Sequence, residues 1–142
     1  MPDVGRAGRP EAEAPVPQVL CDTAALTADL SAPSGALWRL AESGRQLDSN
    51  LVHLPAHGLV GSHAEPDLDV LLLVVAGDGT LGTETSPVEL RPGLLVWLPH
   101  GSTRDLRAGQ AGLSYLTVHV RRPGMRIRSG PPPGATPPPP RG

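Results

Sequence analysis

The residues best suited to chemistry lie in two short segments of this 142-residue chain. The first segment contains an imidazole and a carboxylate, His63 and Glu65, and the second places Arg104 just after a Pro-His-Gly turn sequence at residues 99–101. Imidazole and carboxylate groups can bind a divalent metal. An arginine guanidinium has no lone pair to donate, and it binds carboxylates and phosphates instead. His63, Glu65 and Arg104 are therefore the candidate site residues of this chain.

Short strands are the elements expected to position these residues. The chain has 18 Pro, 17 Gly, two Trp, one Tyr and no Phe, a composition that suits strands and turns better than long helices. Gly and Pro at residues 77–79 and 91–93 indicate turns, and the turn at residues 77–79 is predicted to connect a hairpin. Strand spacing of this kind is typical of a sandwich or barrel, so the predicted fold class is all-β. The predicted strands are 36–40, 47–54, 70–75, 79–83, 88–90, 94–98 and 114–120.

The rest of the chain predicts one short helix and two tails. Asp22 can cap the N-terminus of a helix that runs to about Leu30. Residues 1–17 and 129–142 are rich in Pro, Gly and Ala without a period, and both are predicted to be disordered. A single domain is therefore expected over residues 18–128.

The spacing of the first segment resembles the first motif of the cupin superfamily. In that motif a glycine precedes two histidine ligands, a glutamate ligand and a closing glycine. With His63 at the first ligand position and Gly77 at the closing glycine, Glu65 takes the place of the second histidine. Val70 takes the place of the glutamate, and His57 that of the opening glycine. The resemblance implies that two of the three ligands have changed in type.

The second segment resembles the second cupin motif, in which glycine, proline and glycine at fixed intervals precede a histidine ligand and an asparagine. Gly93, Pro99 and Gly101 match in frame, and these are turn requirements that are not easily met by chance. The frame places Arg104 at the histidine position and Ala108 at the asparagine position. A guanidinium repels a divalent cation, so the last ligand of the motif is lost.

The resemblance covers about residues 36–122 and implies a cupin-like barrel of the double-stranded β-helix (jelly-roll) type, with a short N-terminal helix. It identifies the chain as a small single-domain bacterial cupin with a degenerate metal-ligand set. His63 and Glu65 alone are too few to hold a metal firmly. No cofactor is therefore expected, and the usual metal-dependent cupin chemistries do not carry over.

The resemblance implies that His63, Glu65 and Arg104 form one ligand-binding pocket in the barrel. Two hypotheses account for Arg104. It can pair with Glu65 inside the barrel, with Val70 filling the vacated ligand space, or it can bind an anionic metabolite through its planar fork. In the metal-dependent alternative, a β-bulge turns Asp69 inward, and a site for Fe, Mn or Zn serves an enzyme of the oxygenase or isomerase type. The ligands of that alternative are His63, Glu65, Asp69 and His100. A third possible function for the chain, besides metabolite binding and metal-dependent catalysis, is that of a barrel kept only for interaction or assembly.

Composition and motifs limit the partners. The formal net charge is -2, which provides no field to attract nucleic acid, and no apolar run is long enough for a membrane span or a signal peptide. All 12 basic residues are Arg, a bias typical of a GC-rich bacterial genome. Cytoplasmic location is the prediction. No catalytic residue is predicted, because no nucleophile motif occurs. Cupins commonly pair sheet on sheet, so the resemblance also implies a homodimer.

Overall fold

Antiparallel strands dominate the computed structural model, which describes residues 14–122. This part of the chain forms one short helix and seven strands, which are joined in one continuous antiparallel sheet. The elements are α1 (Thr23–Leu26), β1 (Gly35–Arg39), β2 (Leu47–Leu54), β3 (Leu59–Ala64), β4 (Val70–Gly82), β5 (Val88–Leu90), β6 (Leu95–Leu98) and β7 (Thr103–Val120). The predicted all-β fold class is confirmed.

Two long strands, β4 and β7, run through both layers of the barrel. Residues 113–120 of β7 pair with β2 on one side and with residues 71–77 of β4 on the other. Residues 103–108 of β7 pair with β3 and with the end of β4. β6 pairs with the start of β4, and β5 pairs with its end. The continuous sheet therefore folds over into two halves that face each other as two sheets, as in a jelly roll.

Glycines allow the two long strands to bend between the sheets. Gly77 and Gly112 both have positive φ, 84° and 79°, a region that side chains rarely adopt. A Cβ added to Gly77 would lie 2.1 Å from the carbonyl oxygen of Gly112, so the strands touch through bare backbone. The hairpin predicted at residues 77–79 is wrong. β4 continues through these residues with a shift in register and does not reverse.

The interior of the barrel is aliphatic, and alternation along the strands fills it. Alternate residues of β4, among them Val70, Leu72 and Val74, are buried, and they pack with Leu106 and Leu113 of β7. The predicted strands at 36–40, 47–54, 88–90 and 94–98 are confirmed. Strand β3 and the first half of β7 were not predicted, because polar and charged residues interrupt their apolar pattern.

The helix begins where the sequence predicts and ends earlier. Asp22 accepts hydrogen bonds from the main-chain N–H groups of Ala24 and Ala25, at 3.1 and 3.2 Å, which satisfies two N-terminal donors. The helix ends at Leu26 instead of reaching Leu30. No helix in residues 14–122 combines the length and apolar character needed to cross a lipid bilayer.

The two tails that the sequence predicts to be disordered lie mostly outside the described residues. Residues 1–13 and the whole segment 129–142 are not described. Residues 14–17 are described, and they are exposed and form no regular secondary structure. The predicted domain, residues 18–128, contains every helix and strand of the described range.

Candidate functional site

A cavity of about 230 Å³ opens between the two sheets, and the three predicted pocket residues all line it. His63 comes from β3, Glu65 follows that strand, and Arg104 comes from the start of β7. The wall is largely aliphatic, with contributions from β3, β4, β6 and β7. Its apolar residues include Val70, Leu72, Leu81, Leu98 and Leu106. The structure therefore places the predicted polar residues together in one pocket.

Backbone conformation supports both motif frames. Gly77, Gly93 and Gly101 occupy motif glycine positions, and each has positive φ, at 84°, 95° and 83°. His57, at the position of the opening glycine, has φ of 63°, and it alone among the described non-glycine residues has positive φ. Positive φ is the conformation that favours glycine at such turns. The spacing noted in the sequence corresponds to turns at Gly93 and Gly101, and at Gly77 to the bend within β4.

The turn before β7 places Arg104 at the cavity. The main-chain N–H of Gly101 donates to the carbonyl oxygen of Glu65 at 2.7 Å, which joins this turn to the end of β3. Ser102 closes the turn, because its N–H and its hydroxyl both donate to the carbonyl oxygen of Pro99, at 3.1 and 2.7 Å. β7 begins at the next residue, and Arg104 then lies opposite His63 in the β3–β7 ladder.

Arg104 is a buried cation with neutral partners. The residue is only 6% exposed. Its Nη1 donates to the carbonyl oxygen and to the hydroxyl of Ser102, at 3.2 and 3.1 Å. Within residues 14–122, Nε and Nη2 donate no hydrogen bond, and no carboxylate lies within salt-bridge distance. Asp105 also lines the cavity, but it forms no salt bridge with Arg104, and its carboxylate lies close to Gly82.

Glu65 has a different partner from the one proposed for it, so the pairing of Glu65 with Arg104 is wrong. Its Oε1 accepts from Nη2 of Arg122, and its Oε2 accepts from the N–H of Asp67 at 2.9 Å. The N–H of Asp67 and then Arg122 lower the pKa of this carboxyl. Arg122 follows β7 and lines the cavity, where it engages the carboxylate that was expected to pair with Arg104.

His63 is the most exposed of the three predicted pocket residues. Its Nδ1 lies 2.9 Å from the carbonyl oxygen of Gly61. A carbonyl oxygen only accepts, so Nδ1 is the donor in this bond and Nε2 is left for other partners. The ring therefore offers one nitrogen to a ligand beside Arg104.

The residues of the metal-dependent alternative do not converge. Asp69 binds His100 instead, through Nδ1 at 2.8 Å and through the main-chain N–H at 2.9 Å, and both residues are exposed away from the cavity lining. Val70 is buried in the cavity wall at the position of the motif glutamate. In the described part of the chain, no three His, Cys, Asp or Glu side chains are placed to share a metal ion. The side chains present therefore do not fit such a site.

Several cavity residues were not predicted from the sequence. Tyr115, Thr117 and His119 alternate along β7 and line the cavity, together with Arg122. Burial raises the pKa of the Tyr115 hydroxyl to about 12, so the phenol stays protonated near neutral pH. Alternation along this strand is the signal that could have identified these residues. It could not be used without the register, because a slip of one position reverses the face.

His53 does not reach the cavity. Its ring is buried on the opposite face of β2, where Nδ1 lies 2.7 Å from the Ser114 hydroxyl and Nε2 lies 3.2 Å from the carbonyl oxygen of Leu30. These bonds join the sheet to the segment that follows the helix. The role of His53 in the structure is therefore to anchor that segment.

A second groove, of about 310 Å³, shares one wall with the cavity. It lies between residues 83–86 and the end of β6, and Arg104 and Ser102 line it. Arg104 thus separates two hollows, while Tyr115 and His63 line only the first. Both hollows contain polar groups, since Glu84 and several hydroxyl groups line the second. The cavity between the sheets differs in its wall of buried aliphatic residues and in containing His63 and Tyr115.

Comparison with known proteins identifies the fold. No protein-family model matches the sequence, and no curated protein matches it. A solved structure from Bacillus halodurans has a TM-score of 0.61 at 20% identity, covering 76% of this chain and 83% of that chain. A cupin protein of Bacteroides fragilis has a TM-score of 0.53 at 16% identity, covering 65% and 83%. A sugar phosphate isomerase from a cupin superfamily, from Silicibacter pomeroyi, has 0.51 at 22% identity, covering 56% and 53%. The chain has the cupin fold.

Proposed function

We propose that this chain is a cupin-fold binding or sensing module that holds a small anionic metabolite without a conventional metal. Arg104 provides the main contact in this proposal, and His63 and Glu65 provide further polar contacts. The observation that carries the proposal is the buried Arg104 guanidinium, which has two neutral acceptors from Ser102 and no carboxylate partner in the described range.

The energetics of burial favour an anion at this position. A charge removed from water is costly unless it is paired and hydrogen-bonded. The Ser102 acceptors engage only Nη1 of Arg104, so two donor nitrogens remain to be satisfied. A carboxylate or phosphate can accept two parallel hydrogen bonds from the guanidinium fork and also neutralise its charge. The two hypotheses for Arg104 therefore separate, because Glu65 is already engaged by Arg122.

The dimensions of the cavity indicate a small ligand. A volume of about 230 Å³ lies below the range of about 300 to 1,000 Å³ typical of sites for drug-sized molecules. Aliphatic walls with a few convergent polar groups are typical of metabolite pockets. The Silicibacter pomeroyi protein with this fold is named a sugar phosphate isomerase, so sugar phosphates belong in a test panel. A metabolite ligand accords with the cytoplasmic bacterial setting, which stays a prediction.

Calorimetric titration of small carboxylates and phosphates, with thermal shifts as a screen, tests the proposal. We expect at least one anion to raise the melting temperature, and Arg104→Met to abolish that shift while the fold is kept. Arg107→Met is the matched control, because Arg107 lies on the same strand with its side chain exposed. If no anion changes the melting temperature, the proposal is contradicted and a barrel used for assembly is favoured. If Arg104→Met and Arg107→Met lose the thermal shift equally, the proposed role of Arg104 is contradicted.

Elemental analysis of the purified protein tests the metal-dependent alternative. A near-stoichiometric transition metal that is lost in His63→Ala would refute the metal-free proposal. Zinc, iron and manganese are the metals to quantify, since imidazole and carboxylate ligands suit them. His100→Ala is the control, because His100 binds Asp69 away from the cavity. Equal metal content in both variants would identify a metal that does not depend on the cavity residue.

We also propose that the chain forms a homodimer through an outer apolar face. This face is formed by Leu71, Leu73, Leu95, Trp97 and Val118, which are cross-strand neighbours in β4, β6 and β7. Trp97 and Leu95 are 58% and 65% exposed. A strand with apolar residues on both faces is typical of sheets covered on both sides. The face contains no charged side chain, so a second copy can pack on it without like-charge repulsion.

Analytical ultracentrifugation tests this pairing. We expect a dimer, and we expect Trp97→Glu to weaken it by at least about a hundredfold, because the substitution places a charge in an apolar contact. Leu59→Glu is the matched control, since Leu59 is equally exposed but lies on β3. A monomer at all concentrations contradicts the proposal. Shielding of Trp97 in a monomer, lost when residues 123–142 are removed, would assign the face to the chain's own C-terminal segment.

A further inference from the structure

Tyr115 presents a second buried polar group to the same cavity. The residue is 6% exposed, as Arg104 is, and its side chain lines the cavity between the sheets. Its hydroxyl exchanges no hydrogen bond with any residue in the range 14–122. A phenol buried among aliphatic side chains ordinarily has a hydrogen-bond partner. Tyr115 is therefore an unpartnered polar side chain directed into the proposed binding site.

Tyr115 and Arg104 lie on opposite sides of the bend in β7. Tyr115 pairs with Val74 of β4 and Val52 of β2, in the half of β7 that lies beyond the bend at Gly112. Arg104 lies before that bend. A ligand that touches both residues thus spans the cavity from one half of β7 to the other, past aliphatic walls.

We infer that the ligand is a small anion that also carries a hydroxyl group, and that Tyr115 is the residue that selects for this hydroxyl. This inference rests on the proposed function, since Arg104 binds the negative end of the same molecule. A protonated phenol can both donate to a hydroxyl oxygen and accept from its proton. A site built to pair a ligand hydroxyl discriminates against the analogue that lacks it, because the buried protein group is then left unpaired.

Tyr115 provides a neutral contact to the ligand, in contrast to the charged contact from Arg104. Burial keeps the phenol neutral, as its raised pKa indicates. A neutral donor-acceptor suits an uncharged oxygen of the ligand, while the guanidinium suits the charged group. The cavity then recognises two different groups at separate points of one molecule, which is the arrangement that fixes orientation in small pockets.

Matched pairs of probes with and without hydroxyl groups test the inference. Butyrate is titrated against its three monohydroxy derivatives, and propyl phosphate against glycerol phosphate, so that carboxylate and phosphate are distinguished. We expect at least one hydroxylated probe to bind wild type about fivefold more tightly than its partner, the gain expected from one neutral hydrogen bond. In Tyr115→Phe this preference should vanish, with the affinity of the unhydroxylated probe unchanged within about twofold.

Each outcome separates the inference from the proposed function. If hydroxylated and unhydroxylated probes bind wild type equally, or if the preference survives in Tyr115→Phe, the inference is overturned while binding at Arg104 stands. If no probe binds in a manner that depends on Arg104, the proposed function itself fails. Urea unfolding of Tyr115→Phe without ligand provides a further check. We expect unchanged stability, and a loss of more than about tenfold in the folding equilibrium would show a structural bond and overturn the inference.

Discussion

His63 and Arg104 lie directly opposite one another in the β3–β7 ladder, and both line the cavity. In the cupin motifs these two positions hold ligands of one metal site. Here one keeps its imidazole and the other holds a buried cation. Because the two are cross-strand neighbours on one face, a bound molecule that reaches Arg104 also lies within reach of His63. The two residues therefore form one polar patch on the wall of the cavity.

Arg104→Met is expected to stabilise the protein in the absence of ligand. The variant removes a buried charge that has no carboxylate partner in the described range and fills the same space with an apolar side chain. We expect the free energy of unfolding to rise by about 1 to 2 kcal/mol. Urea denaturation in phosphate-free buffer measures it, with Arg107→Met as the exposed control. A clear loss of stability in Arg104→Met alone would indicate a structural role for the guanidinium.

Gly77→Ala is expected to prevent correct packing of the two long strands. The added Cβ would lie 2.1 Å from the Gly112 carbonyl oxygen, and φ at Gly77 is positive. We expect destabilisation of at least about 3 kcal/mol, or a failure to fold. Gly44→Ala separates the two causes, because Gly44 also has positive φ but has no atom within 4 Å of such a Cβ. It should cost only about 1 kcal/mol. If circular-dichroism melts show equal destabilisation in Gly77→Ala and Gly44→Ala, the close approach of Gly77 to the Gly112 carbonyl is contradicted.

Asp69 is expected to contribute stability that depends on pH. The side-chain bond from His100, and next its main-chain N–H, lower the pKa of the Asp69 carboxyl in the folded protein. A lowered folded pKa contributes stability above the unfolded value of about 4, and this is lost as pH falls through the folded pKa. Asp69→Asn should therefore melt lower than wild type near neutral pH. The two melting temperatures should converge as the pH falls through the folded pKa of Asp69.

The control for this pH effect is Asp67→Asn. Asp67 is exposed, and its carboxylate accepts no hydrogen bond from the residues the structure describes. We expect the melting temperature of Asp67→Asn to differ from that of wild type by the same amount near neutral pH and in the acid range. A constant difference between Asp69→Asn and wild type across the acid range would show that the ion pair with His100 does not contribute.

Ser114→Ala is expected to loosen the segment that follows the helix. The change leaves Nδ1 of the buried His53 without a partner, while the bond from His53 to the Leu30 carbonyl depends on the same ring. We expect a cost of about 1 to 3 kcal/mol. Hydrogen exchange should become faster at residues 23–31. Ser62→Ala, at an exposed position of β3, is the control, and equal exchange in both variants would contradict the anchoring role.

The turns at Gly93 and Gly101 could be predicted from the sequence because their requirements are local, whereas the hairpin predicted at residues 77–79 was wrong. Gly93 and Gly101 have positive φ, and this requirement depends only on the backbone of each residue and its neighbours. The resemblance to the second cupin motif predicted Arg104 as a pocket residue, and in the structure Arg104 lines the cavity. Strand β3 was missed for the opposite reason, since its position is set by pairing with β7 and its own residues are mostly exposed.

The partner of Arg104 could not be predicted from the sequence. Glu65 is two positions from His63 and was expected to turn toward Arg104, but Arg122, which lies 57 positions away along the chain, binds it instead. Where Arg122 lies depends on the full length of β7 and on its bend at Gly112. Tyr115 was missed for a related reason, since the register of β7 determines which of its residues face the cavity.

The sequence by itself determined the class of fold and the turns at Gly93 and Gly101, and its resemblance to the cupin motifs singled out Arg104. These follow from spacing, backbone requirements and side-chain chemistry, all of which are local. Only the tertiary structure decided that Arg104 is buried without a carboxylate in the described range and that Tyr115 shares its cavity. Burial and pairing depend on how the two sheets fold over each other, and a bend at two glycines sets that arrangement.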